Sequence, residues 1–295
     1  MLCDSHIHFI PEELSVHTSF YKGVWTDKQA LQEFLERNRI EKALLVYPST
    51  DANLKLGGYS QVCKLYNSAC AKMVRDDSRL IAAGIVDLDS MGTIDAQVNS
   101  LKDQGFRAVS LASSYQEKFI GIEFSGLFEA IQRYSLAVFI HPQTVNPIGF
   151  ERVKDPLLMP VLEYTFDVSM CLGLLMMDGV LQRYEIKFVF SSLAGIIPFL
   201  KGRFDRVYAM LRQREMVKDL GAKPSEIFAN VYVDTSGAAS THIQLALELF
   251  GEDHILWGSD YPVTGDVAGN LTMLDSFGVG IKEKIVGGNF SGLFE

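Results

Sequence analysis

Two histidines near the start of the chain have the spacing of metal ligands. The segment Asp4-Ser5-His6-Ile7-His8 follows an apolar start and ends shortly before Pro11. Side chains two residues apart on a β-strand point to the same face, so a strand here makes the imidazoles of His6 and His8 converge. Neutral imidazole is the commonest protein ligand of a catalytic divalent metal. The same pattern also fits two half-buried histidines beside a hydrogen-bonded Asp4, so the motif alone leaves both interpretations open.

The rest of the sequence alternates between short apolar runs and helical segments. Eight apolar runs indicate parallel strands, near residues 2–8, 43–47, 80–86, 108–112, 136–141, 186–190, 231–234 and 255–257. Segments with helical periodicity separate them, the first opened by a capping-box pattern at Thr26 and Gln29. This alternation predicts an α/β fold, a (β/α)8 TIM barrel in one domain over residues 1–295. An open doubly wound sheet is the alternative, but the glycine-rich turn typical of its first strand is missing.

In such a barrel, functional residues lie at the carboxyl ends of the strands. The polar residues at these positions are His6, His8, His141, Ser191, Ser192, Asp234 and Asp260. Three imidazoles and one carboxylate suit one divalent ion, with Zn²⁺ first and Mn²⁺, Co²⁺ or Fe²⁺ also compatible. The alternative, that His141 merely ends a strand before Pro142, fits a lone histidine better than a set of four compatible ligands. The sequence therefore predicts a metal site at this end of the barrel.

Composition limits the classes of partner. The chain has 48% hydrophobic and 21% charged residues and a net charge of −9. This balance allows a large core and argues against a nucleic-acid partner, which calls for an excess of Lys and Arg. The four scattered cysteines are typical of buried thiols in a reducing compartment. We identify neither a signal peptide nor an apolar run long enough to span a bilayer, and we predict a cytoplasmic protein with a small-molecule substrate and no membrane partner.

Four motifs, taken in order, resemble the amidohydrolase superfamily. They are Asp4-Ser5-His6-Ile7-His8, Phe139-Ile140-His141-Pro142, Trp257-Gly258-Ser259-Asp260-Tyr261-Pro262 and Gly287-Gly288-Asn289-Phe290. The pattern is most similar to the amidohydrolase-2 branch, which includes aminocarboxymuconate-semialdehyde decarboxylase and related decarboxylases, hydratases and lactonases. The resemblance implies that His6, His8, His141 and Asp260 bind one divalent metal, usually Zn²⁺, and that the substrate is small and often carboxylated.

One position departs from that family pattern. The family usually carries His-x-Gly-Gly after strand six, where this chain has Ser192-Leu193-Ala194-Gly195. A serine hydroxyl does not titrate near neutral pH and is a poor substitute for an acid/base imidazole. We therefore predict first a metal-dependent hydrolase of a lactone, amide or related carbonyl compound, with Asp260 as base and Ser192 as a positioning group. A non-oxidative decarboxylase or hydratase is the alternative, and a catalytically degenerate, metabolite-binding barrel is a third possibility.

A single arginine gives the remaining expectation about the site. Arg203 matches an arginine that, in the related decarboxylases, reaches the site of a neighbouring subunit and binds the substrate carboxylate. A forked guanidinium suits a carboxylate, although Arg203 is equally compatible with a simple position on a helix surface. The resemblance thus implies an anionic substrate and a homodimer.

Overall fold

Eight parallel strands form the frame of the protein in the computed structural model, which describes residues 1–148 and 155–294. The strands are β1 Cys3–Ile7, β2 Lys42–Leu45, β3 Leu80–Gly84, β4 Ala108–Ala112, β5 Ala137–His141, β6 Phe188–Phe190, β7 Val231–Asp234 and β8 Ile255–Leu256. Neighbours along the chain pair in parallel. Beyond β8, the carbonyls of Trp257 and Tyr261 accept hydrogen bonds from the backbone N–H groups of Ser5 and His8. These bonds close the sheet, and the predicted (β/α)8 TIM barrel is confirmed.

Helices connect the strands and surround the barrel. The eight main helices are α1 Lys28–Arg37, α2 Tyr59–Asp76, α3 Ile94–Asp103, α4 Ser125–Arg133, α5 Tyr164–Met177, α6 Ile197–Gln213, α7 Ser240–Phe250 and α8 Val267–Met273. Shorter helices are Glu12–Ser15, Asn53–Leu56, Val180–Arg183, Val279–Glu283 and Asn289–Phe294, and a hairpin joins Ser114–Tyr115 to Lys118–Phe119. The capping box predicted at Thr26 is wrong. The Asp27 carboxylate caps α1 by accepting a hydrogen bond from the N–H of Ala30.

Strand alternation divides the apolar core into an inner and an outer layer. On β5, Phe139 points into the barrel, whereas Val138 and Ile140 pack against the helices. Phe290 and Phe294, from the last helix, join the inner layer beside Cys3, near the amino ends of the strands. An apolar plug therefore fills that end. The inward-facing polar residues of the strands collect at the opposite, carboxyl end. Loops surround that end, and no helix fills it in the described part of the chain.

One helical stretch of the described chain, Met159–Met177, is long and apolar enough to cross a membrane by length and composition. This differs from the sequence prediction, which identified no apolar run long enough to span a bilayer. In the barrel, 39% of the stretch is buried. Its buried apolar side chains are Val168, Cys171, Leu172, Leu175 and Met176, all in the outer core layer. One face of α5 thus packs against the barrel, and the other face leaves apolar side chains exposed.

Candidate metal centre

Three histidines meet at the carboxyl end of the barrel. His6 lies on β1, His8 follows it, and His141 is the last residue of β5. The Nε2 atoms of His6 and His8 are 3.1 Å apart. One ring nitrogen from each of the three residues lies within 4.8 Å of the others, and all three side chains are buried. The structure therefore brings together the three imidazoles that the strand pattern predicts to converge.

Each imidazole directs its Nε2 atom towards the same point, because its other nitrogen faces an acceptor. The Nδ1 of His6 lies 2.8 Å from the Oδ2 of Asp234. The Nδ1 atoms of His8 and His141 each lie 2.9 Å from a backbone carbonyl, that of Val46 and that of Pro142. A carbonyl or carboxylate oxygen can only accept, so Nδ1 carries a proton in each ring, and Nε2 carries the lone pair whenever the ring is neutral. Such outer hydrogen bonds orient histidine ligands in metal sites, and the donor set fits a divalent metal.

Asp260 lies beside this cluster and has a strained backbone. Its Oδ1 is 3.2 Å from the Nε2 of His8 and 3.6 Å from the Nε2 of His6, and 25% of its side chain is exposed. Its φ of 61° lies in the left-handed region, which costs a non-glycine residue about 1–3 kcal/mol. A hydrogen bond from its N–H to the carbonyl of His6 holds it there. The structure thus places the fourth predicted ligand against two of the three histidines.

Gly258 allows this segment to pass close to the histidines. A Cβ atom at this position would lie 2.9 Å from the Cβ of His6 and 3.2 Å from that of Asp234, closer than side chains normally approach. The motif that contains Asp260 therefore needs glycine at this position so that the chain after β8 can pack against β1 and β7. The steric reason is local, whereas its consequence is the position of Asp260 at the mouth of the barrel.

Burial and the Asp234 carboxylate act differently on the three imidazoles. Burial alone would lower the pKa of His6, but the charge and hydrogen bond of Asp234 outweigh it and raise that pKa to about 9. The pKa of His8 is lowered by burial, and that of His141 lies well below its usual range because of burial and the neighbouring imidazoles. Two of the histidines are therefore neutral at physiological pH. The third carries a proton that a metal must displace.

Asp234 is a functional candidate to which sequence reasoning gave no role. It ends β7, it is fully buried, and it also accepts hydrogen bonds from the N–H groups of Ser192 and Ser236 through Oδ1. Although burial opposes its ionisation, His6 and Ser236 hold the pKa of Asp234 below its usual value. Its place among the polar strand ends was visible in the sequence. Its pairing with His6 was not, because 228 residues separate the two.

Ser192 lies at the end of β6, next to Asp234 rather than against the imidazole cluster. Its Oγ is 3.2 Å from the Oγ of Ser236, whose own Oγ is 3.2 Å from the Nδ1 of His6. Ser192 is exposed, and its φ of 51° begins a left-handed turn that continues through Gly195. The two predicted catalytic residues, Ser192 and Asp260, therefore stand on different sides of His6.

Two other residues of the predicted motifs lie outside the cluster. Arg203 is exposed on α6, so the structure does not bring it to the imidazole cluster of its own chain. The Oδ1 of Asp4 accepts hydrogen bonds from the N–H groups of His6 and Ser259 instead of facing the histidines. Asp4 thereby ties β1 to the segment that carries Asp260.

The loop between β1 and α1, called the rim loop here, adds an aromatic residue to which the sequence analysis gave no function. Trp25 stacks on His8, with ring centroids 5.6 Å apart and planes inclined by 26°. Tyr21 packs edge-on against Trp25 at 4.7 Å, and its hydroxyl donates to the carbonyl of Ser49. The loop between β1 and α1 therefore forms an apolar side wall of the cluster. Chemically, the site offers three nitrogen ligands, one partly exposed carboxylate and a hydroxyl pair.

Comparisons with known proteins agree with this geometry. The model of the Amidohydrolase family (Amidohydro_2) matches residues 3–289. A curated relative, 2-amino-3-carboxymuconate-6-semialdehyde decarboxylase from Dictyostelium discoideum, is 26% identical over 167 residues. That match covers 55% of this chain and 46% of the relative, so it spans about half the length of each.

Solved structures share the whole fold. 5-Carboxyvanillate decarboxylase from Sphingomonas paucimobilis superposes with a TM-score of 0.84 at 18% identity and covers 99% of this chain and 98% of its own. 5-Carboxyvanillate decarboxylase from Novosphingobium aromaticivorans, complexed with manganese and 4-hydroxy-3-methoxy-5-nitrobenzoic acid, gives 0.81 at 18% identity, with 100% and 96% covered. At this identity the likeness concerns the fold, and the family model carries the assignment. The chain belongs to the amidohydrolase family, whose members use a divalent metal.

Proposed function

We propose that this protein is a metal-dependent lyase that removes a carboxylate from a small conjugated or aromatic acid without an oxidant. One observation carries the proposal. A partly exposed carboxylate, Asp260, lies against the Nε2 side of His6 and His8, where a substrate held at the cluster must also lie. His6, His8, His141 and Asp260 would hold one divalent ion. Zn²⁺ is favoured by the nitrogen ligands, and Mn²⁺ is the alternative because a similar structure contains it.

The residues of the chain define the steps of the reaction. When bound, the metal would polarise a substrate oxygen and offset its negative charge. Asp260 contacts the imidazoles through Oδ1, so we assign to its Oδ2 the transfer of a proton to the substrate. The bond between carbon and carboxylate breaks, CO₂ leaves, and the electron pair stays on the carbon. Asp260 passes one proton to this carbon to form the new C–H bond, and its partly exposed carboxylate then takes up another proton from solvent. Trp25 and the buried histidines limit the access of water to that carbon.

The comparisons support the lyase over the hydrolase that Ser192 led us to predict first. The curated relative and both solved structures carry the names of decarboxylases. A missing strand-six histidine weakens decarboxylation only if that histidine is the proton donor, and Asp260 can fill this role. Hydrolysis stays the second candidate, because the same carboxylate could instead take a proton from a water. The intact imidazole cluster, with every Nδ1 held, argues against a degenerate barrel.

Release of CO₂ from a panel of acids tests this proposal. Metal-loaded protein is incubated with substituted benzoates, unsaturated dicarboxylates and lactones, and both CO₂ and released acid are measured. We expect CO₂ from at least one acid and none with His141→Ala, while His17→Ala, a histidine outside the cluster, behaves as wild type. Opening of lactones with no CO₂ from any acid would establish the hydrolase instead.

We further propose that the active form is a cytoplasmic homodimer. Large apolar side chains spaced four residues apart are exposed along the outer face of α5 and the turn before it, namely Leu158, Leu162, Phe166, Met170 and Leu174. On α6, Phe199 is 77% exposed and Arg203 follows it by one helical turn. A second copy on this face would cover the stripe and carry Arg203 towards the partner's substrate carboxylate. Because the other face of α5 packs against the barrel, a membrane is a weaker candidate than a second copy for covering the exposed stripe.

Light scattering at micromolar concentration tests the dimer. We expect a mass twice that of the chain, and a shift to monomer in Phe199→Asp. Val279→Asp is the matched control, because Val279 is 74% exposed but lies on a different helix. A monomeric wild type would refute the dimer, as would a Phe199→Asp variant that stays dimeric to the same extent as the control.

A further inference from the structure

Ser192 and Ser236 form a hydroxyl pair with a defined direction of hydrogen bonding. The Oδ1 of Asp234 accepts from the backbone N–H of Ser192 at 3.0 Å and from that of Ser236 at 2.9 Å. Backbone N–H groups can only donate, so Oδ1 is an acceptor. The Oγ of Ser236 lies 2.5 Å from this same oxygen. The one hydroxyl proton of Ser236 is therefore committed to Asp234.

That commitment fixes the role of the next hydroxyl. Ser192 and Ser236 have their Oγ atoms 3.2 Å apart, and one of them must donate. Ser236 has no second proton, so Ser192 donates to Ser236. Ser236 is 3% exposed, whereas Ser192 is exposed at the carboxyl end of the barrel. Ser192 therefore presents its oxygen lone pairs, and not its proton, to whatever occupies the mouth of the site.

We propose that Ser192 is a specificity-determining residue that accepts a hydrogen bond from an O–H or N–H group of the substrate. The inference rests on the proposed function, because it assumes that a carboxylated substrate occupies the mouth of the barrel. The specificity that we propose is separate from the type of reaction. The chain His6–Asp234–Ser236–Ser192 selects acids that carry a donor near the carboxylate, and it disfavours isosteres that carry only an acceptor at that position.

The neighbouring backbone supports this assignment. Ser192 has a φ of 51°, an unfavourable region for a non-glycine residue, and the bond from its N–H to Asp234 maintains it there. Asp234 thus fixes both the main chain of Ser192 and, through Ser236, the direction of its hydroxyl. A serine without a role at the site would need neither constraint.

Paired probes test the proposal by binding rather than turnover. Calorimetry compares 3-hydroxybenzoate with 3-fluorobenzoate on metal-loaded protein, since fluorine has nearly the size of a hydroxyl but cannot donate, and a group at this position cannot chelate the metal together with the carboxylate. We expect wild type to prefer the hydroxyl probe by about fivefold to tenfold, the scale of one neutral hydrogen bond. Ser192→Ala should bring this ratio close to one while the affinity for the fluoro probe stays unchanged. Thr241→Ala, which removes an exposed hydroxyl in the first turn of α7, should keep the wild-type ratio.

Ser236→Ala tests whether the direction of the Ser192 hydroxyl matters, and not only its presence. Without Ser236, the proton of Ser192 is released and can turn to the ligand, so the preference for the hydroxyl probe should shrink although Ser192 is intact. Equal binding of both probes by wild type, or an unchanged preference in Ser192→Ala or Ser236→Ala, would overturn the inference. Metal content is measured in each variant. A protein that shows the preference but releases no CO₂ from any acid refutes the decarboxylase and leaves the role of Ser192 standing.

Discussion

The two sides of the barrel mouth follow different rules. On the side of β1, β5 and the segment after β8, three imidazoles and Asp260 converge within a few ångströms, and each histidine is oriented by an outer hydrogen bond. On the side of β6 and β7, Ser192 stands where the family resemblance leads us to expect an acid/base histidine. The first side keeps the family pattern, and the second has exchanged a titratable group for a hydroxyl chain.

This difference separates two tasks that one histidine would otherwise combine. If Asp260 carries the reacting proton, the β6 side is relieved of acid/base chemistry and can serve recognition. Asp234 links the sides, since it holds His6 through Oδ2 and the serine pair through Oδ1. We therefore expect changes at Asp260, Asp234 and Ser192 to affect mainly proton transfer, metal binding and substrate recognition, respectively.

Asp260→Asn should have the largest effect on turnover. The amide keeps the shape of the carboxylate but cannot carry a transferable proton, so we expect CO₂ release to fall by about 10²- to 10⁴-fold. Turnover is measured at saturating metal, with metal content determined in parallel. Glu13→Gln, an exposed carboxylate near the rim, is the control and should behave as wild type. Near-normal turnover of a fully metallated Asp260→Asn would show that another group handles the proton.

The pH dependence of metal binding should come from His6. Its pKa of about 9 means that metal binding displaces one proton below that pH, whereas His8 and His141 are already neutral. The apparent affinity for Mn²⁺ should therefore rise about tenfold per pH unit, or about 100-fold from pH 6.5 to 8.5. Competition with a chelator at several pH values measures the slope. An affinity that is flat over this range contradicts the His6–Asp234 account.

Asp234→Asn should weaken metal binding while it leaves the ligands themselves in place. The loss of an outer partner of a ligand histidine typically costs about 10- to 100-fold in metal affinity. The pKa of His6 should fall as well, so the pH slope of metal binding should flatten in this variant. The same competition assay measures both effects, with Asp219→Asn, an exposed carboxylate that pairs with Arg212, as control. A wild-type affinity and slope would remove Asp234 from the metal centre.

Changes at Ser192 should be the smallest. Ser192→Ala should raise KM for a donor-bearing substrate by about tenfold or less and leave kcat nearly unchanged, because one neutral hydrogen bond is lost. Ser192→His, which restores the family's usual side chain, should change turnover by less than about tenfold if Asp260 already supplies the proton. Steady-state kinetics of CO₂ release measure both variants. A gain of more than about 100-fold in Ser192→His would indicate that this barrel is catalytically degenerate.

The fold and the convergence of the three histidines were predictable from sequence. The barrel follows from short apolar strands that alternate with helices. The convergence of His6 and His8 follows from the two-residue period of a strand, and His141 from the same inward alternation as Phe139. These signals are local, so a few neighbouring residues carry each of them.

The β6–β7 side was not predictable, because its structure depends on pairs that are distant in the chain. Asp234 was visible as a polar strand end, but its contact with His6 depends on closure of the barrel. The direction of the Ser192 hydroxyl depends on the three hydrogen bonds that the Oδ1 of Asp234 accepts from Ser192 and Ser236. The capping residue of α1 was missed for a simpler reason, since Thr26 and Asp27 are both suitable caps and the geometry of the turn chooses between them.

Titration of metal-free protein with Co²⁺ tests the central claim most directly, because the visible spectrum reports the ligands themselves. We predict a band that saturates at one ion per chain, is displaced by Zn²⁺, and is lost or strongly changed in His6→Ala, His8→Ala and His141→Ala but not in His17→Ala. A wild-type protein that stays folded and binds no Co²⁺, or a band that survives unchanged in all three cluster variants, would contradict the metal centre and the mechanism built on it.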